Sequence, residues 1–349
     1  MLQVVTEPYR LGSEFKLGEL MVQQRALMVT LVIGLFLCTF ASFANSRLQA
    51  QVASASENVA PVYAFTFFRD NGQDGVFLAL SDNGFDWKEI PTGKPILKPN
   101  VGGKLTRDPS VTVGGDGLYH MVWTTGWTGD GFGVAHSKDL LNWSEQEYVP
   151  INAGDDKARN TWAPEIFFDQ ATNQYLVFWA TTRIGDFPAT LENSEDGYNH
   201  RMYVTTTKDF AAWEPKKLFY DGGFNVIDAF LFKAEGRYGL IVKDETLKPV
   251  PEKNLKVVWS KGGALGPWEK ASPPFTDNKR SWAEGPTVLK VGTKWLVYFD
   301  EYNTGRYAAV ETEDFKSFKD VKISLPPGVR HGTMFSVDPE TARKLRALK

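Results

Sequence analysis

The sequence predicts an all-β chain, a five-bladed β-propeller whose first blade is completed by the C-terminal strand. Three observations predict it. From Val62 onward there is no long helical period; short β-branched and aromatic runs are broken by Gly, Asp, Asn and Pro. A strand, strand, turn, aromatic series recurs five times, ending at Trp87, Trp143, Trp213, Trp268 and Phe318, with separations of 56, 70, 55 and 50 residues. One ionisable residue also precedes a short apolar run five times, at Asp108, Glu165, Asp228, Glu284 and His331, spaced by 57, 63, 56 and 47 residues. A period of about 50–60 residues with about four strands per unit is a propeller signature, because each blade alone leaves its faces exposed.

The blades follow in order. The first begins at Tyr63 and has no ionisable strand before it, whereas the other four place that strand ahead of Leu118, Tyr175, Tyr238 and Trp295. The segment Arg330 to Val337 has no strands after it. Adding it to the first blade closes the ring and removes exposed edges. The propeller is expected over residues 56–338, with residues 339–349 a basic surface tail. The five terminal aromatics read as plugs between neighbouring blades.

Composition bounds the rest. Of 349 residues, 42% are hydrophobic, 23% charged and 13% aromatic, as in a globular chain. The net charge is −3 with Lys and Arg dispersed, which argues against a nucleic-acid partner. Residues 1–55 read as an N-terminal extension and secretory signal peptide. Arg25 precedes an apolar run from Ala26 to Ala44, and Ser42-Phe43-Ala44 and Ala53-Ser54-Ala55 are small-x-small cleavage candidates. The run is about 19 residues long, so an uncleaved anchor is the competing reading. The expectation is a secreted or periplasmic protein with no stable membrane insertion after cleavage. Cys38, the only cysteine, lies in this leader, so the mature chain has no disulfide or thiol nucleophile.

In propellers the first strand of each blade lines the central channel, so the five ionisable residues are expected to converge on one axial pocket. Several carboxylates in a partly dry site repel one another, and at least one pKa should rise. Two carboxylates in an aromatic-walled pocket suggest glycoside hydrolysis: one gives a proton to the leaving oxygen and one activates water from the opposite face. Residues on different blades favour the wide separation that gives inversion.

The motifs Arg107-Asp108-Pro109-Ser110-Val111, Trp162-Ala163-Pro164-Glu165-Ile166, Ile227-Asp228-Ala229-Phe230 and Glu284-Gly285-Pro286 stand in order at the blade period. Together they resemble the inner-strand motifs of glycoside hydrolase family 43 across roughly Val62 to Val337. That resemblance implies a five-bladed, inverting glycosidase, arabinofuranosidase- or xylosidase-like and exo-acting on arabinose- or xylose-containing glycans or on galactose-containing ones. It implies Asp108 as general base, Glu284 as general acid, and Asp228 as the carboxylate that raises the acid's pKa. It implies that Glu284 is protonated near neutral pH while Asp108 is ionised. His331, in Arg330-His331-Gly332, resembles the family's late histidine, near which a calcium ion is held through water; the chemistry itself requires no cofactor. The chain departs from the family at Glu165, where Asp is usual, and at Ala229, where Pro is usual.

The implied partner is an oligo- or polysaccharide. Sugar faces stack on aromatic rings and their hydroxyls need polar partners. Trp162, Trp282 and Trp127 are the candidate walls, with Glu165 and Arg306 as further substrate contacts; Glu165 could equally pair with Arg159 or Arg107. Arg183 and Lys243 could also reach hydroxyls, though a surface place is the simpler reading for these and for Arg306. The long polar segment from Gly185 to His200 is read as a lid, a subsite wall or an ordinary loop. Two other functions compete: a non-catalytic carbohydrate-binding propeller, and a retaining fructan-active relative. The latter carries early Asn-Asp-Pro-Asn and Glu-Cys motifs, neither of which is present here.

Overall fold

A computed structural model describes residues 61–348. The expected leader over 1–55, with Cys38, lies outside the described residues. Twenty strands form five antiparallel four-stranded sheets. The first blade joins β1 (Val62–Phe68), β2 (Phe77–Ser81) and β3 (Lys88–Glu89) to β20 (Arg330–Val337), in the order β20-β1-β2-β3. The second runs β4 (Arg107–Val113), β5 (Tyr119–Thr124), β6 (Phe132–Ser137), β7 (Glu147–Val149). The third runs β8 (Trp162–Asp169), β9 (Gln174–Thr182), β10 (His200–Thr207), β11 (Lys217–Tyr220). The fourth runs β12 (Val226–Ala234), β13 (Arg237–Asp244), β14 (Asn254–Gly263), β15 (Gly266–Trp268), and the fifth β16 (Glu284–Val291), β17 (Lys294–Glu301), β18 (Arg306–Thr312), β19 (Lys319–Val321). The expected closure is present: β20 pairs antiparallel with β1, from Val62 opposite Val337 to Phe68 opposite Arg330.

The recurring aromatic has a local cause. After the third strand of four blades, a Ser or Thr hydroxyl accepts the backbone N–H three residues on: Ser81 from Gly84, Ser137 from Leu140, Thr207 from Phe210 and Thr312 from Phe315. The residue reached is left-handed in each case, with φ between 55° and 77°. This polar turn takes the place of continued strand pairing and aims the aromatic three positions later into the seam. Trp87 and Trp143 then donate their indole N–H back to Gly84 O and Leu140 O, at 3.1 and 3.2 Å.

The buried side chains form five clusters, and each is shared by two neighbouring blades. Blades one and two meet around Trp123 and Trp143, two and three around Trp179 and Trp213, and three and four around Phe178 and Trp268. Blades four and five meet around Phe232 and Phe318, and blades five and one around Tyr298 and Trp87, completing the circle. No blade owns a core of its own, so the ring is the unit of stability. The residues after Val337, read from sequence as a surface tail, form helix α1 (Pro339–Arg346), which docks instead. Asp338 caps it through Glu340 and Thr341 N–H, and Ala342 and Leu345 are buried in the cluster between blades one and two.

Candidate active site

All five inner strands carry a β-bulge at the same height. Two residues face one on the neighbouring strand at Asp108-Pro109 (β4), Ala163-Pro164 (β8), Asp228-Ala229 (β12), Gly285-Pro286 (β16) and His331-Gly332 (β20). The first bulge residue is left-handed in four blades: Asp108 at φ 52°, Ala163 at 46°, Asp228 at 51° and Gly285 at 57°. A bulge bends its strand and re-aims a side chain, and here it does so around one axis. A non-Gly residue in this region is strained, and such strain concentrates at functional sites.

The register corrects the expectation that all five ionisable residues occupy equivalent places. Asp108, Asp228 and His331 do. Glu284 stands one position earlier. Glu165 stands two positions later and is equivalent to Ser110, so Ala163 holds the place in blade three where a carboxylate was expected. Glu165 is therefore one layer deeper. Ser110 Oγ donates to it at 2.5 Å, and neither Arg107 nor Arg159 does. Burial pushes the Glu165 carboxyl pKa up.

His331 sits at the centre, 3% exposed. Its Nδ1 lies 3.4 Å from Asp108 Oδ1 and 3.8 Å from Asp228 Oδ2, and its Nε2 lies 3.7 Å from Glu165 Oε1. Burial opposes charge on the ring, but Asp228, Asp108 and Glu165 outweigh it and raise its pKa well above the usual value. These carboxylates favour the protonated ring. Burial would likewise raise Asp108, but the hydrogen bond and charge of His331, with Arg107 and Thr124, hold it at about 2. Thr124 Oγ1 donates to Asp108 Oδ2 at 2.8 Å.

Glu284 is set differently. Lys243 Nζ donates to its Oε2 at 3.0 Å, and Arg330 reaches its Oε1 at 3.4 Å. Despite burial, the Lys243, His331 and Arg330 charges lower its pKa. The expectation of a protonated Glu284 in the free protein is thus not met, because two cations hold its oxygens. Burial acts instead on the carboxyls beside it, Asp228 and Asp300. Burial and the Glu284 charge push Asp228 up to about 7. Burial and the same charge push Asp300 up to about 6, although Arg330 Nε donates to it at 2.6 Å. Asp228 accepts the Gly285 N–H at 3.1 Å, which ties it to the Glu284 strand.

Asp108, Asp228, Glu284 and His331 line a pocket of ≈ 260 Å³, with Trp127 and Trp162 as walls. The two indoles meet edge to face at 5.7 Å, Trp162 Nε1 donates to Trp127 O, and the Arg107 guanidinium stacks 4.3 Å from the Trp127 ring. Lys243 and Tyr302 also line the pocket, the ammonium 4.4 Å from the ring. Lys243 is 2% exposed rather than on the surface. Its signal was a lone Lys near the end of the apolar run Leu240-Ile241-Val242. Nothing in sequence marked Tyr302 or Thr124. Two candidate contacts lie outside this pocket. Trp282 packs near Tyr302, at 6.0 Å, and Arg306 pairs with Glu301 at 2.5 Å in a separate groove on blade five. The structure brings Asp108, Asp228, Glu284, Trp127, Trp162 and His331 together, with Glu165 beneath them.

The side chains do not make a calcium cage by themselves. Among the described residues no group of three or more His, Cys, Asp or Glu is arranged to hold a metal ion, and the imidazolium of His331 already faces three carboxylates.

The family described as "Probable glycosyl hydrolase domain", a glycosyl hydrolase 43-related family, matches residues 60–342. The chain belongs to this family. The chain is 25% identical over 267 residues to an alpha-L-arabinofuranosidase of Bifidobacterium longum subsp. longum, a match that covers 69% of this chain and 23% of that protein. The chain thus corresponds to under a quarter of that relative's length. Among solved structures, the GH43_1 enzyme from Xanthomonas citri superposes with a TM-score of 0.50 at 13% identity, over 68% of this chain and 84% of that one. It shares the fold. An alpha-L-arabinofuranosidase from Lactobacillus brevis gives 0.45 at 18% identity, over 62% and 72% of the two chains. Among the described residues no helix is long and apolar enough to cross a membrane.

Proposed function

We propose that this chain is an exported, exo-acting, inverting glycosidase that releases a terminal arabinosyl, xylosyl or galactosyl residue from a plant-type glycan. The observation that carries the reading is the division of protonation within one pocket. Asp108 is held at about 2 while Asp228, beside Glu284, is pushed up to about 7. Titratable groups whose surroundings drive their pKa values apart are how a site obtains a base and an acid at one pH.

Asp108 takes the proton of the attacking water, with His331 and Thr124 fixing its carboxylate. Glu284 gives a proton to the leaving oxygen, drawing on the proton that the Asp228–Glu284 pair shares, since strongly interacting carboxyls titrate as a unit. Asp228 holds that proton at rest and Lys243 positions Glu284. Trp127 and Trp162 wall the sugar. The ≈ 260 Å³ pocket falls below the ~300 Å³ lower end for drug-sized ligands, which suits one sugar ring and terminal cleavage. The arabinofuranosyl member of the substrate set draws support from the arabinofuranosidase relative.

The test is a screen of para-nitrophenyl arabinofuranosides, xylosides and galactosides alongside arabinan, arabinoxylan and arabinogalactan, with proton NMR of the first-formed anomer. Turnover with inverted configuration is expected. Retained configuration, or binding without turnover across the whole panel, overturns the reading.

A further inference from the structure

A second cavity of ≈ 170 Å³ adjoins the candidate active site and shares Trp162, Ile227 and Glu245 with it. Its outer wall is the long segment between β9 and β10, which contains a short 3-10 helix (Pro188–Asn193). That segment is pinned rather than loose. Arg201, 1% exposed, binds Asp221 at 2.6 Å and Thr190 Oγ1 at 2.9 Å, and lies 4.2 Å from the Phe187 ring. Asn199 donates to Phe187 O at 2.9 Å, and Leu247 N–H to Asn193 O at 2.8 Å.

His200 closes the inner end. Asn225 accepts its backbone N–H at 2.8 Å and donates to Tyr198 O at 2.9 Å, which fixes both aromatic residues. Tyr198 stacks on Trp162 at 4.8 Å and on His200 at 5.5 Å. The His200 ring is 2% exposed, yet neither of its nitrogens makes a well-formed hydrogen bond, the Asn225 amide beside it acting on the ring only weakly. Buried polar atoms are nearly always paired, so two orphans on one ring facing a cavity mark a place for a polar guest. Burial lowers the His200 pKa to about 4, so the ring is neutral and offers one donor and one acceptor. Glu245 Oε2 is ion-paired with Lys243 Nζ at 2.7 Å but makes no hydrogen bond.

We propose that this cavity is a second sugar subsite, which takes a neutral ring linked to the residue being cleaved. A hydroxyl both donates and accepts, as the neutral imidazole does, and the carboxylate accepts a further hydroxyl. A uronic acid is disfavoured. Glu195, Asp196 and Glu245 line the cavity, and the nearby Lys253 is committed to Glu245 at 2.5 Å and Glu195 at 3.5 Å. The inference deepens the glycosidase reading and rests on it.

The test compares two substrates ending in the same sugar: the para-nitrophenyl glycoside the wild type cleaves fastest, and a neutral trisaccharide. His200→Phe, which removes both ring nitrogens, and Tyr198→Leu, which removes the stacking ring, should each lower kcat/KM on the trisaccharide about tenfold more than on the aryl glycoside, the worth of one lost hydrogen bond or stacking contact. Equal losses on both, or no loss on either, overturn the subsite. If the wild type cleaves nothing, the glycosidase reading fails on its own. Calorimetric titration of wild type and His200→Phe with the trisaccharide then decides the cavity: weaker binding by the variant supports it, and unchanged or absent binding overturns it.

Discussion

Lys243 Nζ lies 3.0 Å from Glu284 Oε2, and the two are brought together from different blades, β13 and β16. The acid proposed to protonate the leaving group is therefore held as an anion in the free protein, and the lysine governs when it takes up its proton. Lys243→Met removes the cation, so the Glu284 pKa rises. The alkaline limb of the kcat/KM profile should move to higher pH. Asp228→Asn removes the carboxyl that holds the pair's proton and should move the limb the other way. Opposite displacements in pH–rate profiles of the two variants are the expected result.

In the wild type, Asp108 at about 2 leaves the base ionised across the working range, while the proton on Asp228 is lost near pH 7. Activity should stay level on the acid side and fall above about pH 7. Stability follows from the same two groups. Asp228 binds its proton more tightly folded than unfolded, where Asp titrates near ~3.9. Its contribution is complete below about pH 4 and is lost as pH rises through 7. That of Asp108 is present above about pH 4 and is lost as pH falls through 2. Thermal unfolding at a series of pH values reads both.

Asp108→Asn and Glu284→Gln should each lower kcat by about 10²–10⁴-fold, the usual worth of a positioned acid or base, with a lower Tm because each leaves a buried cation without its partner, but with a cooperative melting transition retained. Each amide keeps the shape of the carboxyl it replaces. Steady-state rates and a melting curve on the same preparation separate lost chemistry from lost fold.

His331→Ala leaves three buried carboxylates without their shared cation. Removing one partner of a buried ion pair costs about 3–5 kcal/mol, so a fall in Tm is expected, together with a new acid limb as Asp108 titrates upward. Because the imidazolium is that counter-ion, EDTA should change neither Tm nor kcat of the wild type. A loss on chelation that calcium restores would show that a cation does this work instead.

The ring and its closure were legible because they rest on repetition: five aromatics and five ionisable residues at one period, with a first blade lacking a strand. The site was legible only in part. Glu165 looked like a twin of Glu284, since both follow a Trp-Ala phrase, but a sequence does not display which residue of a bulge is left-handed. The register puts Ala163 in the equivalent position and sends Glu165 a layer down. The protonation of Glu284 was misread for a related reason. Its cations, Lys243 and Arg330, come from strands 41 and 46 residues away, and only the folded ring makes them neighbours. Trp282 and Arg306 were chosen for their closeness to a carboxylate or a strand end along the chain, and neither lines the pocket in space.

The pairing of β1 with β20 has a temporal side. Val62 must wait for Val337 before blade one has its inner strand, and His331, the shared counter-ion, arrives on that same last strand. At synthesis rates of about 5–20 residues per second the wait is on the order of tens of seconds. Throughout it Asp108, Asp228 and Glu165 have no imidazolium between them, and the seams on both sides of blade one stay open. An emerging chain therefore carries carboxylates but no working pocket. Completion of the catalytic centre and sealing of the ring are one event, so the chain becomes competent for chemistry only when it also becomes hard to unfold.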